Sequence, residues 1–328
     1  MFARRCGDKG RLFVVIAQTA VPPIGFFLAK LGRLLVTIYL IASVVFVVLR
    51  VLPGDPARTI AGIDADAAEV AALRAELGTD RPLGEQYLSW VSATLRLDFG
   101  SSFFHERPVI DLIRERIPLT LTLSVSAFAA ALLVALPLGV LMAVRRWSMT
   151  DYFGMGFSHL AMALPEFWVA ILFLLVFAAV LGWFPLFGAA TPRHFVLPVV
   201  ALALSRAAVL VRLVRSSMID ELDKEYVRAA RAHGLPERRV RYGYALRNAL
   251  LPVITVGAIQ FGYLLGGSIV IEQVFSMPGL GRLLLSAIYR RDFPVVQAGV
   301  IVTAVVFTGV NFIADLLYSV ANPKIRMR

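Results

Sequence analysis

Long apolar runs dominate the chain, and six of them reach the length of a bilayer crossing, about 20 mainly apolar residues at about 1.5 Å each. They cover residues 34–52, 118–144, 153–181, 196–216, 249–271 and 294–316. The fifth holds no charged residue, and the second none before Arg145. The third carries Glu166 beside Pro165 and is predicted as one long kinked helix, because two crossings there would reverse every later charge assignment. Residues 12–29 are also apolar, but Gln18, Thr19 and Pro22-Pro23 interrupt them. They are predicted as an interfacial or loosely ordered extension rather than a span.

Two polar stretches separate these runs with more than connecting loops. Residues 53–117 are too long for a plain connection and too short for an independent enzyme. Asp64 is predicted to cap a helix through AAEVAALRAEL to Gly78, a second amphipathic stretch covers Gln86 to Leu97, and a third puts Val109, Leu112 and Ile113 on one face. This segment is expected to form a small helical cap.

The other stretch, 215–248, reads RSSMIDELDKEYVRAARAHGLPERRVRYGYALRN. Asp220 to Ala232 is helix-forming sequence, with Met218, Leu222 and Ala229 or Ala230 able to share a face. Gly234 then stops the helix, and Pro236 discourages its continuation. A second helix from Glu237 carries Arg238, Arg239 and Arg241 into the fifth run at Ala249. The result is a short helical knob. A basic loop that only fixes topology is the competing reading, yet two charged helices exceed what orientation needs.

Composition agrees with a membrane chain. Of 328 residues, 59% are hydrophobic and 17% charged, against about 25% charged in soluble domains, and the mean hydropathy is +0.76. Soluble, disordered and collagen-like classes are excluded. The net charge of +11 comes from 33 Lys+Arg against 22 Asp+Glu. These basic residues lie between the apolar runs, with no basic helix of interleaved aromatics outside those loops, so no nucleic-acid partner is expected.

Orientation follows from where they lie. Six basic residues and one acid precede residue 34, Arg145 and Arg146 follow the second run, eight basic residues fall in 215–248, and Lys324, Arg326 and Arg328 close the chain. With six spans all four groups share one side. Segment 53–117, with seven basic residues and eleven acids, takes the other. Both termini are therefore expected in the cytoplasm.

Familiar catalytic patterns are missing. The four lysines (Lys9, Lys30, Lys224, Lys324) begin no K-[ST] pair, so the chain has no phosphate-cradling GxxxxGK[ST] loop. Cys6 is the only cysteine, the four histidines are scattered, and HExxH and GxSxG are absent. Ser158 and His159 are neighbours on a helix, so they point about 100° apart. No catalytic residue, metal site or cofactor is expected.

Polar groups within spans are costly unless they face a pathway or a partner. Glu166, Arg206, Gln260, Asn311 and Asp315 are the candidates, whereas Arg212 and Arg215 lie near a helix end and can snorkel. Arg206 sits mid-span, where an unpaired charge costs at least ~2.5 kcal/mol. Glu272, with the SMPGLG stretch, is expected at the outer mouth. Pro165, Pro198 and Pro252 can bend helices, and Gly262, Gly266 and Gly267 permit close approach on the fifth span.

YVRAARAHGLPERRV (Tyr226–Val240) resembles the EAA loop of binding-protein-dependent ABC-importer permeases. LRVLPGDP (49–56), LDFGSS (97–102), ALPEFWVAI (163–171), GWFP (182–185), LRNALLPVIT (246–255), SIVIEQVFSMPGLGRLLLSAI (268–288), RRDFPVVQ (290–297) and NPKIR (322–326) resemble the dipeptide/oligopeptide/nickel branch in the same order. Arg228 stands where the general pattern has Glu, and Asn322 where the family often has Asp. Ala229, Ala230 and Gly234 match.

The resemblance implies an all-α permease of the type I ABC-importer kind, with six transmembrane helices in the bacterial inner membrane. Residues 1–33 would form an N-terminal extension, 34–52 the first helix, 53–117 a helical extracytoplasmic insert, 118–318 the core and 319–328 a cytoplasmic tail. The expected partners are a second permease, two ATPase subunits carrying ATP and Mg, and an extracytoplasmic solute-binding protein. Glu225, Tyr226, Arg228, Ala229, Ala230, Gly234, Leu235, Arg238 and Arg239 would form the ATPase-coupling element. Peptides, glutathione-like compounds, a nickel chelate and haem all remain open as substrate. The competing classes are an ion-coupled secondary transporter, a membrane-embedded enzyme and a structural anchor. The first would require an inverted repeat and paired intramembrane acids, the second convergent catalytic groups, and the third leaves the 215–248 knob without a purpose.

Overall fold

The computed structural model describes residues 24–51, 55–62 and 65–321. The expectations for residues 1–23, for Asp64, for the middle of LRVLPGDP and for the 322–328 tail fall outside these residues.

All regular elements among the described residues are helices. Helix α1 (Ile24–Val51) starts earlier than expected and takes in the end of the predicted extension. No proline occurs between Pro23 and Pro53, so nothing in the sequence interrupts it. Helix α2 (Pro56–Ala61) is capped by Asp55, which accepts from the Ala57 N–H at 3.0 Å. Helix α3 (Ala67–Glu76) is capped by Asp66 rather than Asp64. Its carboxylate accepts from the Glu69 N–H at 2.7 Å, three residues on, the bond expected of an N-cap.

Helix α4 (Leu83–Leu95), part of the expected helical cap, lies against α1. Phe46 meets Tyr87 and Trp90 with ring centroids 5.2 and 5.1 Å apart, Ser43 and Tyr87 share a 2.7 Å hydrogen bond, and Arg50 Nε donates to Gln86 Oε1 at 2.9 Å. The third predicted amphipathic stretch is no separate helix. It forms the opening turns of α5 (Val109–Val144), which continues through Pro118. Val109, Leu112 and Ile113 do share a buried face, against Leu280, Leu284 and Val295.

The third apolar run is the clearest correction. It holds two helices, α6 (Met149–Ala163) and α7 (Glu166–Phe173, extended by π-helical Leu174–Val180), bent by 97°. Pro165 has no N–H to continue the ladder, and it forces Leu164 into extended geometry at φ −84°, ψ 129°. Five other helices are long and apolar enough to cross a membrane, and the bent pair makes six if it crosses as one span.

Helix α8 (Arg193–Leu222) and α9 (Glu225–Ala232) are separate, so the predicted 220–232 helix is broken at Asp223-Lys224. Two arginines hold that corner. Arg146 Nη1 donates to the Asp223 carboxylate at 3.0 Å, and Arg228 Nη2 to the Asp223 carbonyl at 3.1 Å. Beyond Gly234 a π-helical stretch, Arg239–Ala245, leads without a gap into α10 (Leu246–Val274). Helices α11 (Leu280–Arg290) and α12 (Phe293–Ala321) complete the chain.

The pairing of α5 with α8 is the most extensive in the molecule. Buried Ala127, Ala131, Ala135, Ala203 and Ala207 bring the two helices close. At Gly139 even a methyl group would stand 2.7 Å from Val214 Cβ and 2.9 Å from the Val211 carbonyl oxygen. Helix α10 packs beside α8, and α12 beside α10 and α1.

Candidate functional site

Two places concentrate exposed or costly polar chemistry: the α9 corner at one end of the bundle, and a charged cluster where α7, α8 and α10 meet. At the corner, buried Val227, Ala230 and Val240 join one core with Met142, Val214, Met218 and Ala249, so the knob is fastened to the helices it leaves. Gly234 takes φ +73°, the left-handed geometry that ends a helix cheaply with glycine.

Tyr226 ties three elements together. Its hydroxyl donates to Glu221 at 2.6 Å and accepts from Asn248 Nδ2 at 3.0 Å. Burial, then the Glu221 carboxylate, push its pKa up, so it stays protonated as a donor. Glu237 accepts from Arg231 at 2.8 Å and Arg241 at 2.9 Å, and Arg231 foremost holds its carboxyl below the usual range.

Glu225, Arg228, Ala229, Arg231, Arg238 and Arg239 face outward, and Leu235 is half-buried. The adjacent alanines differ: Ala229 is exposed, whereas Ala230 turns into the core at 8% exposure.

The second place brings together three of the six polar candidates. Arg206 on α8 pairs with Glu166 at the start of α7 and donates from Nη1 to Gln260 Oε1 on α10 at 3.1 Å. Ser205 Oγ adds a 2.8 Å bond to Glu166, and the guanidinium carbon lies 5.4 Å from the Tyr263 ring centre. The Arg206 and Glu166 side chains keep 19% and 18% exposure beside a cavity of about 380 Å³, also lined by Tyr263, Gly266 and Gly267. A methyl on Gly267 would come within 2.6 Å of Glu166 Oε2, so glycine makes room for the carboxylate. Gly262 plays the same part for Phe307, whereas Gly266 borders open space.

The other three candidates stand elsewhere. Asn311 donates to the Phe307 carbonyl of its own helix at 2.9 Å. Asp315 pairs with Lys30, joining α12 to α1. Glu272 is fully buried at the end of α10. It accepts from Thr120 Oγ1 at 2.5 Å and from the Arg282 N–H at 2.9 Å, while Thr120 Oγ accepts from the Leu280 N–H at 2.9 Å. The carboxylate thus caps the first turn of α11 and fixes the SMPGLG turn, where a negative group suits a helix N-terminus.

Sequence reasoning missed two buried acids. Asp151 holds Arg215 through bonds of 2.5 and 2.6 Å and accepts from the Trp147 N–H at 3.0 Å. The S-x-x-D spacing from Ser148 was the available signal. Arg215 is therefore an ion-pair partner rather than a free snorkelling side chain. Asp292, within RRDFP, accepts from Ser102 Oγ of LDFGSS at 2.5 Å and from the Phe103 N–H at 3.4 Å, pinning the 98–108 loop to α12. Asp292→Ala is expected to cost about 1.5–3 kcal/mol and to raise amide hydrogen exchange selectively across residues 98–108. Unchanged exchange there would show that this anchor contributes nothing.

A polytopic helical chain with a fastened polar knob at one end and a charged cluster between its spans has the build of a membrane transport component. The chain belongs to the family of binding-protein-dependent transport system inner membrane components, whose model matches residues 135–327, with the family's N-terminal region matching 24–124. It is 40% identical to the glutathione transport system permease protein GsiC of Salmonella typhimurium strain LT2 over 93% of this chain and all of that one. Identity to the Escherichia coli K12 GsiC is 39% over the same share. The fold is similar to a chain of the inward-facing MetNI methionine ABC transporter, with TM-score 0.54 and 18% identity over 65% of this chain and 97% of that one. The chain is thus an ABC-importer permease of the inner membrane, and the relatives it matches are permeases rather than enzymes.

Proposed function

We propose that this permease carries small peptides of the glutathione class inward as half of a heterodimeric pathway, working with a second permease, two ATPase subunits and an external binding protein. Full-length similarity to GsiC supports the substrate class. ATP and Mg reside on the ATPase subunits, and this chain supplies no catalytic group. Insert 53–117 faces the binding protein outside, and both termini lie in the cytoplasm.

The observation that carries the coupling role is the α9 knob. It presents Arg228, Ala229, Arg231, Arg238 and Arg239 outward while Val227 and Ala230 anchor it in the core of α5, α8 and α10. A groove on an ATPase that grips this face moves the spans as one rigid unit. Glu166 and Arg206, with Gln260 bonded behind Arg206, then face the pathway or the contact with the second permease, because the cavity beside the two charges opens on the outside of the single chain.

A gentle detergent pull-down of the tagged chain from its native membrane tests the assembly. Two P-loop ATPase chains, a second permease and an associated binding protein are expected by mass spectrometry. Recovery of this chain alone, with uptake driven by an ion gradient, would transfer the case to a secondary transporter.

A further inference from the structure

A cavity of about 410 Å³ lies between α4, the 98–103 loop, the end of α1 and the start of α12, and it shares no lining residue with the cavity beside Arg206. Two of its lining side chains carry buried donor atoms with no partner: Arg50 Nη1 and Gln297 Nε2. Gln297 is only 4% exposed. Arg50 bonds the neutral Gln86 amide and stacks its guanidinium 3.9 Å over the Phe46 ring, and it forms no ion pair among the described residues. A guanidinium that forms no ion pair among the described residues and keeps one buried N–H unpartnered, beside a buried amide donor in the same state, suits an oxyanion, since an unmade bond of a buried donor is costly.

We propose that this cavity binds the phosphate of a phospholipid headgroup, with Arg50 and Gln297 as its donors. The position argues for a lipid. Arg50 occupies the last turn of a membrane-spanning helix, where headgroups meet protein. On the same helix Val44, Val47, Val48 and Val51 are exposed, as are Leu83 and Leu88 of α4, giving apolar surface for acyl chains. Arg81, Glu85 and Asp98 line the same cavity, so with Arg50 it carries two positive and two negative groups, and a zwitterionic ethanolamine headgroup is the matching chemistry. Bound there, the lipid joins the insert to α1 and α12. The site does not depend on the substrate or the partners proposed above.

Native mass spectrometry of the complex purified in mild detergent tests this, comparing the unaltered protein with Arg50→Gln and Gln297→Glu. Gln297→Glu keeps the side-chain size and places a carboxylate in the cavity with Arg50, so it replaces the amide donor by an anion without opening a hole. One phospholipid per chain should survive purification of the unaltered protein, and its occupancy should fall about tenfold or more in each variant. Phosphatidylethanolamine vesicles should reload the delipidated protein but neither variant. Equal lipid retention by the unaltered protein and correctly assembled Gln297→Glu overturns the proposal. Inorganic phosphate is the second probe: binding of phosphate without binding of phosphatidylethanolamine overturns the lipid source, and binding of neither overturns the site.

Discussion

Ala229→Glu is expected to abolish ATP-dependent uptake, by at least about 30-fold, while the chain still inserts and pairs with its fellow permease. The position is exposed on a helix, and glutamate is a good helix former there, so the local fold loses a few tenths of a kcal/mol at most. A small residue on the proposed docking face permits close backbone approach. A charged, longer side chain blocks it and costs about 2 kcal/mol or more, the scale of an interface hot spot. Ala230→Glu provides the contrast. That residue faces Val227 and Val240 in the core, so its replacement should lower the amount of folded chain in the membrane. Uptake by Ala229→Glu at the unaltered rate, in membranes with equal amounts of both permeases, would remove α9 from the coupling interface.

The difference between these alanines shows what one-dimensional pattern conveys. The six apolar runs and the 226–240 motif were legible because hydrophobic length and motif order are local properties of the chain. Facing was only partly so: the predicted grouping of Met218, Leu222 and the alanines left open which alanine turned inward. The corner at Asp223-Lys224 was hidden because neither residue is a helix breaker, and the arginine of the 145–148 turn that meets Asp223 is a tertiary contact. Pro165 signals the break but not its size: a proline in a long run reads as a kink, and only neighbouring packing decides between a kink and a 97° bend. The candidate polar residues were chosen one by one for their cost in a membrane. That logic found Glu166, Arg206 and Gln260, and it could not reveal that the three meet while Asn311 and Asp315 do not. Asp151 and Asp292 escaped it because they sit in the connections between runs, outside any span, where an acid attracts no notice until its buried partner is seen.

Glu166→Ala should be among the most damaging single changes within the spans. It leaves Arg206 with only the Gln260 amide and the Tyr263 ring, in a layer where an unpaired arginine costs about 2.5–3.5 kcal/mol. Loss of folded chain or of assembly is expected, and this alone does not separate a structural pair from a pathway group. The double change Glu166→Leu with Arg206→Leu does. Replacing both charges by apolar groups removes the desolvation cost together with the attraction, and such replacements are often neutral or stabilising. If the pair only braces α7 against α8, the double variant should assemble and transport at the unaltered rate. If the pair faces the solute, the double variant should assemble normally, retain coupling of ATP hydrolysis to the binding protein, and lose uptake of charged peptides by tenfold or more. The cavity beside both charges favours the second outcome, because a brace has no need of open space. Full uptake by the assembled double variant would return the cluster to a packing role and leave the pathway to other residues.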